Sequence, residues 1–138
     1  MKPLIPGNIL QRNCKRINNE YVHLEYLNMK KLIDFTVTEN KRLNHDTILL
    51  VLHSDELPEI QPGQFVNVRV DHSPSTFLRR PISVHDVDEA HGLLYLFIKI
   101  VGCGTSTLGD LQIGDKVNVM LPLGNHFSIP ASGRPLLI

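Results

Sequence analysis

Arg79-Arg80-Pro81-Ile82-Ser83 lies within FLRRPISVHD (77–86), and further along the chain comes Gly102-Cys103-Gly104-Thr105. An arginine carries a permanent charge and a planar fork of donors that matches phosphate oxygens. In the second segment two glycines allow close backbone approach. A helix opening with Thr105 as its N-cap would turn unpaired N–H groups and a positive dipole end towards an anion. Charge-assisted hydrogen bonds contribute about 1.5–3 kcal/mol each, so Arg80 and this turn together could hold a diphosphate. Pro81 supplies the backbone logic. It keeps Arg80 extended and, lacking an N–H, interrupts strand pairing and frees neighbouring backbone groups for a ligand. Ile82 then offers a flat apolar contact and Ser83 a small hydroxyl, a combination that describes a nucleotide with a large planar ring.

Each residue also has a plainer reading. The two arginines could be solvated on an edge strand that Pro81 protects from aggregation, and Arg79 in particular reads as a surface or interface residue. Cys103, between glycines near a helix start, is either a thiol of lowered pKa or a small loop residue. The seven histidines show no metal-ligand spacing, although His85 and His126 sit just beyond the two best motifs. No nucleophile elbow or triad is present. Asp86 and Asp88 read as turn-forming carboxylates.

The elements that would position these groups are almost all strands. LIDFTVTENKRL (32–43) and DTILLVLHS (46–54) are strand candidates, and Pro62-Gly63 is the pair expected at the centre of a type II turn. FVNVRVD places Val66, Val68 and Val70 on one face. The arginine stretch follows, and DEAHG forms the next turn. LLYLFIKIV then sets Leu94, Leu96, Ile98 and Ile100 against Tyr95, Phe97 and Lys99, and DKVNVMLPL aligns Val117, Val119 and Leu121. Six such strands with short turns predict an all-β fold, a small closed antiparallel barrel whose closure removes exposed edges. One short helix is expected within GTSTLGDLQIGD (104–115), kept brief by Gly109 and Gly114.

Residues 1–28 show no sustained period and read as an N-terminal extension, either a marginal helix or a flexible arm. Met29-Lys30-Lys31 reads like a fresh start, so 29–130 is taken as the barrel domain. PLLI (135–138) looks like the opening of a buried strand, which makes 131–138 the start of a further domain. The 138 residues suffice for one domain with a real core. Fourteen basic residues balance fourteen acidic ones, so no strong field would gather nucleic acid or a membrane surface. Two unrelated cysteines suggest a reducing cytoplasm and cannot by themselves build a four-cysteine metal centre. No apolar run approaches the roughly 20 residues that span a bilayer, and no signal-peptide h-region is visible.

Four elements in order, Gly63-Gln64-Phe65, Leu78-Arg79-Arg80-Pro81-Ile82-Ser83, Gly102-Cys103-Gly104-Thr105 and Pro122-Leu123-Gly124-Asn125-His126-Phe127, carry a resemblance. Over about Met29–Pro130 the chain resembles the flavin-binding domain of the ferredoxin–NADP reductase superfamily, and within it the electron-transfer subunits of dihydroorotate dehydrogenase B. The resemblance implies a six-stranded Greek-key barrel binding FAD. It also implies that Arg80, Pro81, Ile82 and Ser83 line the flavin and its diphosphate, with Ser83 near the reactive ring edge. Phe97, Ile98 and Lys99 match a second contact segment, and Gly104 and Thr105 the phosphate turn. Lys99 stands where many relatives have arginine, which keeps the charge and loses the fork.

In that family a nicotinamide-binding domain follows the barrel, and a cysteine cluster holding a [2Fe–2S] centre lies further on. Neither appears before Ile138, so the expectation is a chain truncated before the nicotinamide domain, able to hold FAD and not by itself competent to reduce NAD. The implied role is to relay electrons from dihydroorotate oxidation in a catalytic flavin subunit towards NAD, in pyrimidine biosynthesis. Two alternatives stand beside it: the flavin domain of another ferredoxin–NADP or sulfide reductase subunit, and a flavin-free barrel used for protein association.

Overall fold

The computed structural model describes residues 14–17, 20–23, 30–71 and 76–128. Six strands close into one antiparallel barrel in the order β3-β4-β7-β6-β5-β8. They are β3 (Lys31–Arg42), β4 (Thr47–His53), β5 (Phe65–Val68), β6 (Arg80–Asp88), β7 (Leu93–Lys99) and β8 (Lys116–Leu123). β5, β6 and β7 follow one another as hairpins, and β8 returns beside β5 after a longer connection, which makes the topology a Greek key. That connection carries the helix, α1 (Cys103–Gly109). No helix among the described residues is long and apolar enough to cross a membrane.

The alternation legible in the sequence is the alternation that folds. Phe35, Leu50, Leu52, Val66, Val68, Leu94, Leu96, Val119 and Leu121 are fully buried inside the barrel, and Leu108 of α1 plugs one end. On the Leu93–Lys99 strand the opposite residues, Phe97 and Lys99, are exposed. β-Branched and leucine side chains that can reach the interior every second residue drive this closure, since each buried side chain contributes about 1.5–3 kcal/mol.

Several local expectations shift. Pro62-Gly63 does form the turn, with Gly63 at φ 97° and the Gln64 N–H donating to Gln61 O at 3.2 Å. The arginine strand begins at Arg80, so Phe77 and Leu78 lie outside the barrel ladder and are exposed. α1 starts at Cys103 with Gly102 as its N-cap, which puts Thr105 at the third helical position, inside the first turn. Gly102 can take this place because its backbone is fully extended and it brings no side chain into the turn. Outside the barrel, β1 (Cys14–Ile17) and β2 (Glu20–His23) pair as an antiparallel ribbon. The sequence had suggested helix or arm there, but Tyr21 and Val22 are strand formers. The rest of the proposed extension and residues 131–138, including PLLI, lie outside the described residues.

Candidate functional site

The β6–β7 seam is zipped over only part of its length. β6 pairs with β5 over Arg80–Ser83, with Val68 opposite Arg80, Asn67 opposite Pro81, Val66 opposite Ile82 and Phe65 opposite Ser83. Its ladder with β7 runs only from Val84↔Leu96 to Asp88↔Leu93. The first half of β6 and the Phe97–Lys99 end of β7 therefore stand side by side without a register. Pro81 sits in the unzipped half, as its missing N–H favours. It is opposite Asn67 in the β5 ladder all the same, so the interruption is confined to the β7 side.

Strand alternation divides the RPIS run. Arg80 and Ile82 lie on one side, half-buried, with Ile82 packed against the core, while Pro81 and Ser83 are exposed on the other. Ile82 is therefore anchored in the barrel wall, and Ser83 presents its hydroxyl outward.

Across the seam, α1 brings its first turn to Arg80. Gly104 is buried, and a Cβ added there would lie 2.5 Å from Arg80 Nε and 3.3 Å from both Cζ and Nη2. The guanidinium thus rests on a surface that only glycine leaves open. Thr76, Arg80, Val101, Gly102, Cys103, Gly104 and Thr105 line one hollow of about 420 Å³.

The turn is wired from within. Val101 N–H and Gly102 N–H donate to Thr105 Oγ1 at 2.9 and 3.2 Å, and the same hydroxyl donates to Gly102 O at 3.1 Å. Thr105 consequently has no hydroxyl hydrogen left for a ligand. Its side chain folds the loop so that the N–H groups of Cys103, Gly104 and Thr105 remain without an acceptor among the described residues.

The two adjacent arginines have separate surroundings. Arg79 Nη1 donates to Asn118 O at 3.0 Å and Asn67 O at 3.4 Å, and Nη2 donates to Asn118 Oδ1. Asn118 Nδ2 in turn donates to Asp34 Oδ1 at 2.6 Å. Arg79 therefore clamps β5, β8 and β3. Among the described residues Arg80 has neither an ion pair nor a hydrogen-bond acceptor. An arginine left unpaired beside open amides is an anion receptor in chemical terms.

The second expected segment is mixed. Phe97 is half-exposed, its ring 5.7 Å from that of His85 at 39°. Ile98 is buried in the core and opposite Ile48, which leaves only its backbone for any outside contact. Lys99 Nζ lies 3.4 Å from Asp46 Oδ2. The Thr47 hydroxyl, donating at 2.9 Å, is the main reason the Asp46 carboxyl titrates below its ordinary value, with His45 and Lys99 adding to it against partial desolvation.

The remaining two motif elements meet at the other end of β6. The Phe127 ring lies over Gly63, Phe127 N–H donates to Pro62 O at 2.9 Å, and Gln64 Nε2 donates to Gly124 O at 3.3 Å. Phe65 is opposite both Ser83 and Leu123. The four sequence elements are thus neighbours along one strand. Cys103 is exposed on the rim of the Arg80 hollow, and His126 is exposed, with Nδ1 3.0 Å from Phe127 O. Among the described residues no group of three or more metal-ligating side chains stands together. Thr76, Val101 and the Arg79 clamp were not singled out in the sequence, where nothing distinguishes a lining threonine or valine from any other.

Residues 34–127 match the family model of the oxidoreductase FAD-binding domain. The chain belongs to this family. It is 35% identical over 111 residues to the dihydroorotate dehydrogenase B (NAD(+)) electron transfer subunit of Desulforamulus reducens, covering 80% of this chain and 42% of that one. It is 38% identical over 107 residues to the corresponding subunit of Bacillus caldolyticus, covering 75% and 42%. The chain spans less than half the length of these relatives. Among solved structures, an NADH-dependent reduced ferredoxin–NADP oxidoreductase is similar with a TM-score of 0.61 and 29% identity, over 68% of this chain and 34% of that one. In this FAD-binding domain the matched region takes in the whole β6–α1 site.

Proposed function

We propose that this chain is the FAD-holding barrel of a dihydroorotate dehydrogenase B electron-transfer subunit. In this reading it works in the cytoplasm, passing electrons from dihydroorotate oxidation in a catalytic flavin subunit towards NAD in pyrimidine biosynthesis. The observation that carries it is the Arg80 guanidinium lying against Gly104, beside three N–H groups, all without partners among the described residues. These residues suit a dinucleotide's diphosphate: a forked cation on one side, amides on the other, and a glycine whose missing side chain makes the room.

A bound FAD supplies exchange of one or two electrons. This chain's residues do the holding. Arg80 neutralises and orients the diphosphate, with the Cys103–Thr105 amides opposite it and Thr105 keeping that loop in shape. Pro81 and the open β6–β7 edge provide an approach that needs no broken ladder. Ile82 braces the wall, Ser83 offers an outward hydroxyl to the ring edge, and Phe97 offers an apolar face. Ile98 contributes backbone alone, and Lys99, partly neutralised by Asp46, contributes local positive charge. Reduction of NAD requires a nicotinamide-binding unit and an all-cysteine [2Fe–2S] centre requires four thiolates, so we assign both to other parts of the full subunit.

The similarity to a reduced ferredoxin–NADP oxidoreductase favours a second reading, in which the same barrel serves another ferredoxin–NADP or sulfide reductase subunit. Purified protein is expected to be yellow and to release FAD on denaturation; colourless protein that takes up no added FAD would leave only the flavin-free association barrel. Titration of apoprotein with FAD tests the division of roles. Arg80→Ala is expected to weaken binding at least about tenfold, the loss of roughly one charge-assisted contact. Arg79→Ala should chiefly lower stability, and equal losses of affinity would refute the assignment.

A further inference from the structure

We infer that Asn40 is a positioning residue for the cofactor grip, holding α1 so that Gly104 meets Arg80. This rests on the reading of the β6–α1 hollow as the FAD diphosphate site. Asn40 lies on β3, across the barrel from Arg80, and belongs to none of the motif elements. Its Nδ2 donates to Leu108 O at 3.2 Å, Gly109 O at 3.2 Å and Leu111 O at 2.9 Å. The Leu108 and Gly109 carbonyls are among those that the end of a helix leaves without intrahelical partners, and Leu111 lies just beyond it.

One amide group with two hydrogens shared over three acceptors fixes the way the amide points. The opposite orientation would set Oδ1 against three carbonyl oxygens. In the observed orientation Oδ1 is buried with no partner, so the side chain accepts an unpaired polar atom in order to keep the helix contact.

α1 has seven residues, too few to be stable on its own. Among the described residues the attachments made by the helix itself include Leu108, buried in the core, and Asn40 at the last turn, while the Thr105 hydroxyl braces the loop before it and the Gly114 and Asp115 backbone ties the following loop to Val37. Release of the Asn40 end lets so short a helix tilt about Leu108. The first turn then moves relative to Arg80, whose guanidinium has no spare distance from Gly104. Asn40 thereby acts on the cofactor through α1 and touches none of it.

The test is FAD titration of the full chain as native protein, Asn40→Ala, Arg80→Ala and the double variant, with folding followed by circular dichroism. Asn40→Ala should raise the FAD dissociation constant about tenfold, the worth of one charge-assisted contact disturbed at the displaced turn. The double variant should lose less affinity than the two single losses combined, because both changes act on the same contact between α1 and Arg80. Should Asn40→Ala not fold, Asn40→Thr, a better strand former with one shorter donor, supplies the same comparison. A lower melting temperature with unchanged affinity, or losses that add in the double variant, overturns the inference and leaves the cofactor reading intact. Native protein that binds no FAD overturns both.

Discussion

Arg79 and Arg80 have the same side chain and differ entirely in what surrounds it. Arg79 is bonded through both terminal nitrogens to carbonyl and amide oxygens of β5 and β8, whereas Arg80 faces a glycine and open N–H groups. A guanidinium already bonded on both arms has little to offer a ligand, so the proposed function gives the receptor role to Arg80, which has no such partners among the described residues. Gly104 is the other half of that receptor. Gly104→Ala should add about 1 kcal/mol of helix propensity, because the position is helical with no left-handed backbone. Its methyl would meanwhile displace the arginine. The expected outcome is a melting temperature no lower than native with an FAD dissociation constant raised about tenfold, read by thermal denaturation and flavin titration of the same preparation. Unchanged affinity would mean that the guanidinium does not act from where it now rests. The sequence marked both Arg80 and Gly104 by residue type, and the fold brings them into contact. Thr105 was placed as an N-cap and instead braces its loop from inside the helix, because extended Gly102 let the helix begin earlier.

Among the elements, the β6–β7 hairpin matters most, since its far half is zipped and its near half is open. The closed half is held by a tight turn. Asp88 caps the 3-10 turn Glu89–His91, and Gly92 follows at φ 63°. A Cβ at Gly92 would lie 2.4 Å from the carbonyl oxygen of Ser54. Gly92→Ala therefore meets both backbone strain and a clash with main chain, and is expected to cost roughly 1–3 kcal/mol. A lower urea midpoint with an unchanged slope is the signature to look for; a midpoint equal to native would show that the hairpin can shift to make room. The same turn carries a pH dependence. The His91 side chain, bonding at 2.7 Å, is the chief cause holding the Asp88 carboxyl below its ordinary value of 3.8. A depressed carboxyl stabilises the fold above the unfolded-state value and loses that contribution as pH falls through its lower folded-state value. Asp88→Asn should accordingly flatten the acid side of the stability profile, measured by denaturation between pH 5 and pH 2.

At the scale of the whole molecule, a closed barrel with one continuous core should unfold as a unit. Leu96 faces Leu50 across β7 and β4 and Val84 across β7 and β6, and is fully buried. Leu96→Ala is expected to cost about 2–5 kcal/mol. Under the cofactor reading, FAD binds the folded barrel and not the open chain. A hundredfold excess of FAD over its dissociation constant should then add about 2.7 kcal/mol to the native protein, a rise on the order of ten degrees in melting temperature for a domain of this size. Arg80→Ala, binding about tenfold more weakly, should show about half that rise or less at the same FAD concentration. An equal shift in both proteins would move the binding site away from the β6–α1 hollow.

Strand identity and facing were set by the chain alone. A period of two is a local property, so Val66 and Val68 or Leu94 and Leu96 declare an inner face wherever the strand finally lies. The Pro62-Gly63 turn and the chemistry of RPIS with GCGT were local in the same way. What the chain could not declare was which strands adjoin, that β6 parts from β7 beside Pro81, that Arg79 is spent on Asn118, or that Asn40 ties down α1. Those facts follow from packing between residues far apart in sequence. A guanidinium or an amide carries no local mark of the partner that closure of the barrel will bring to it.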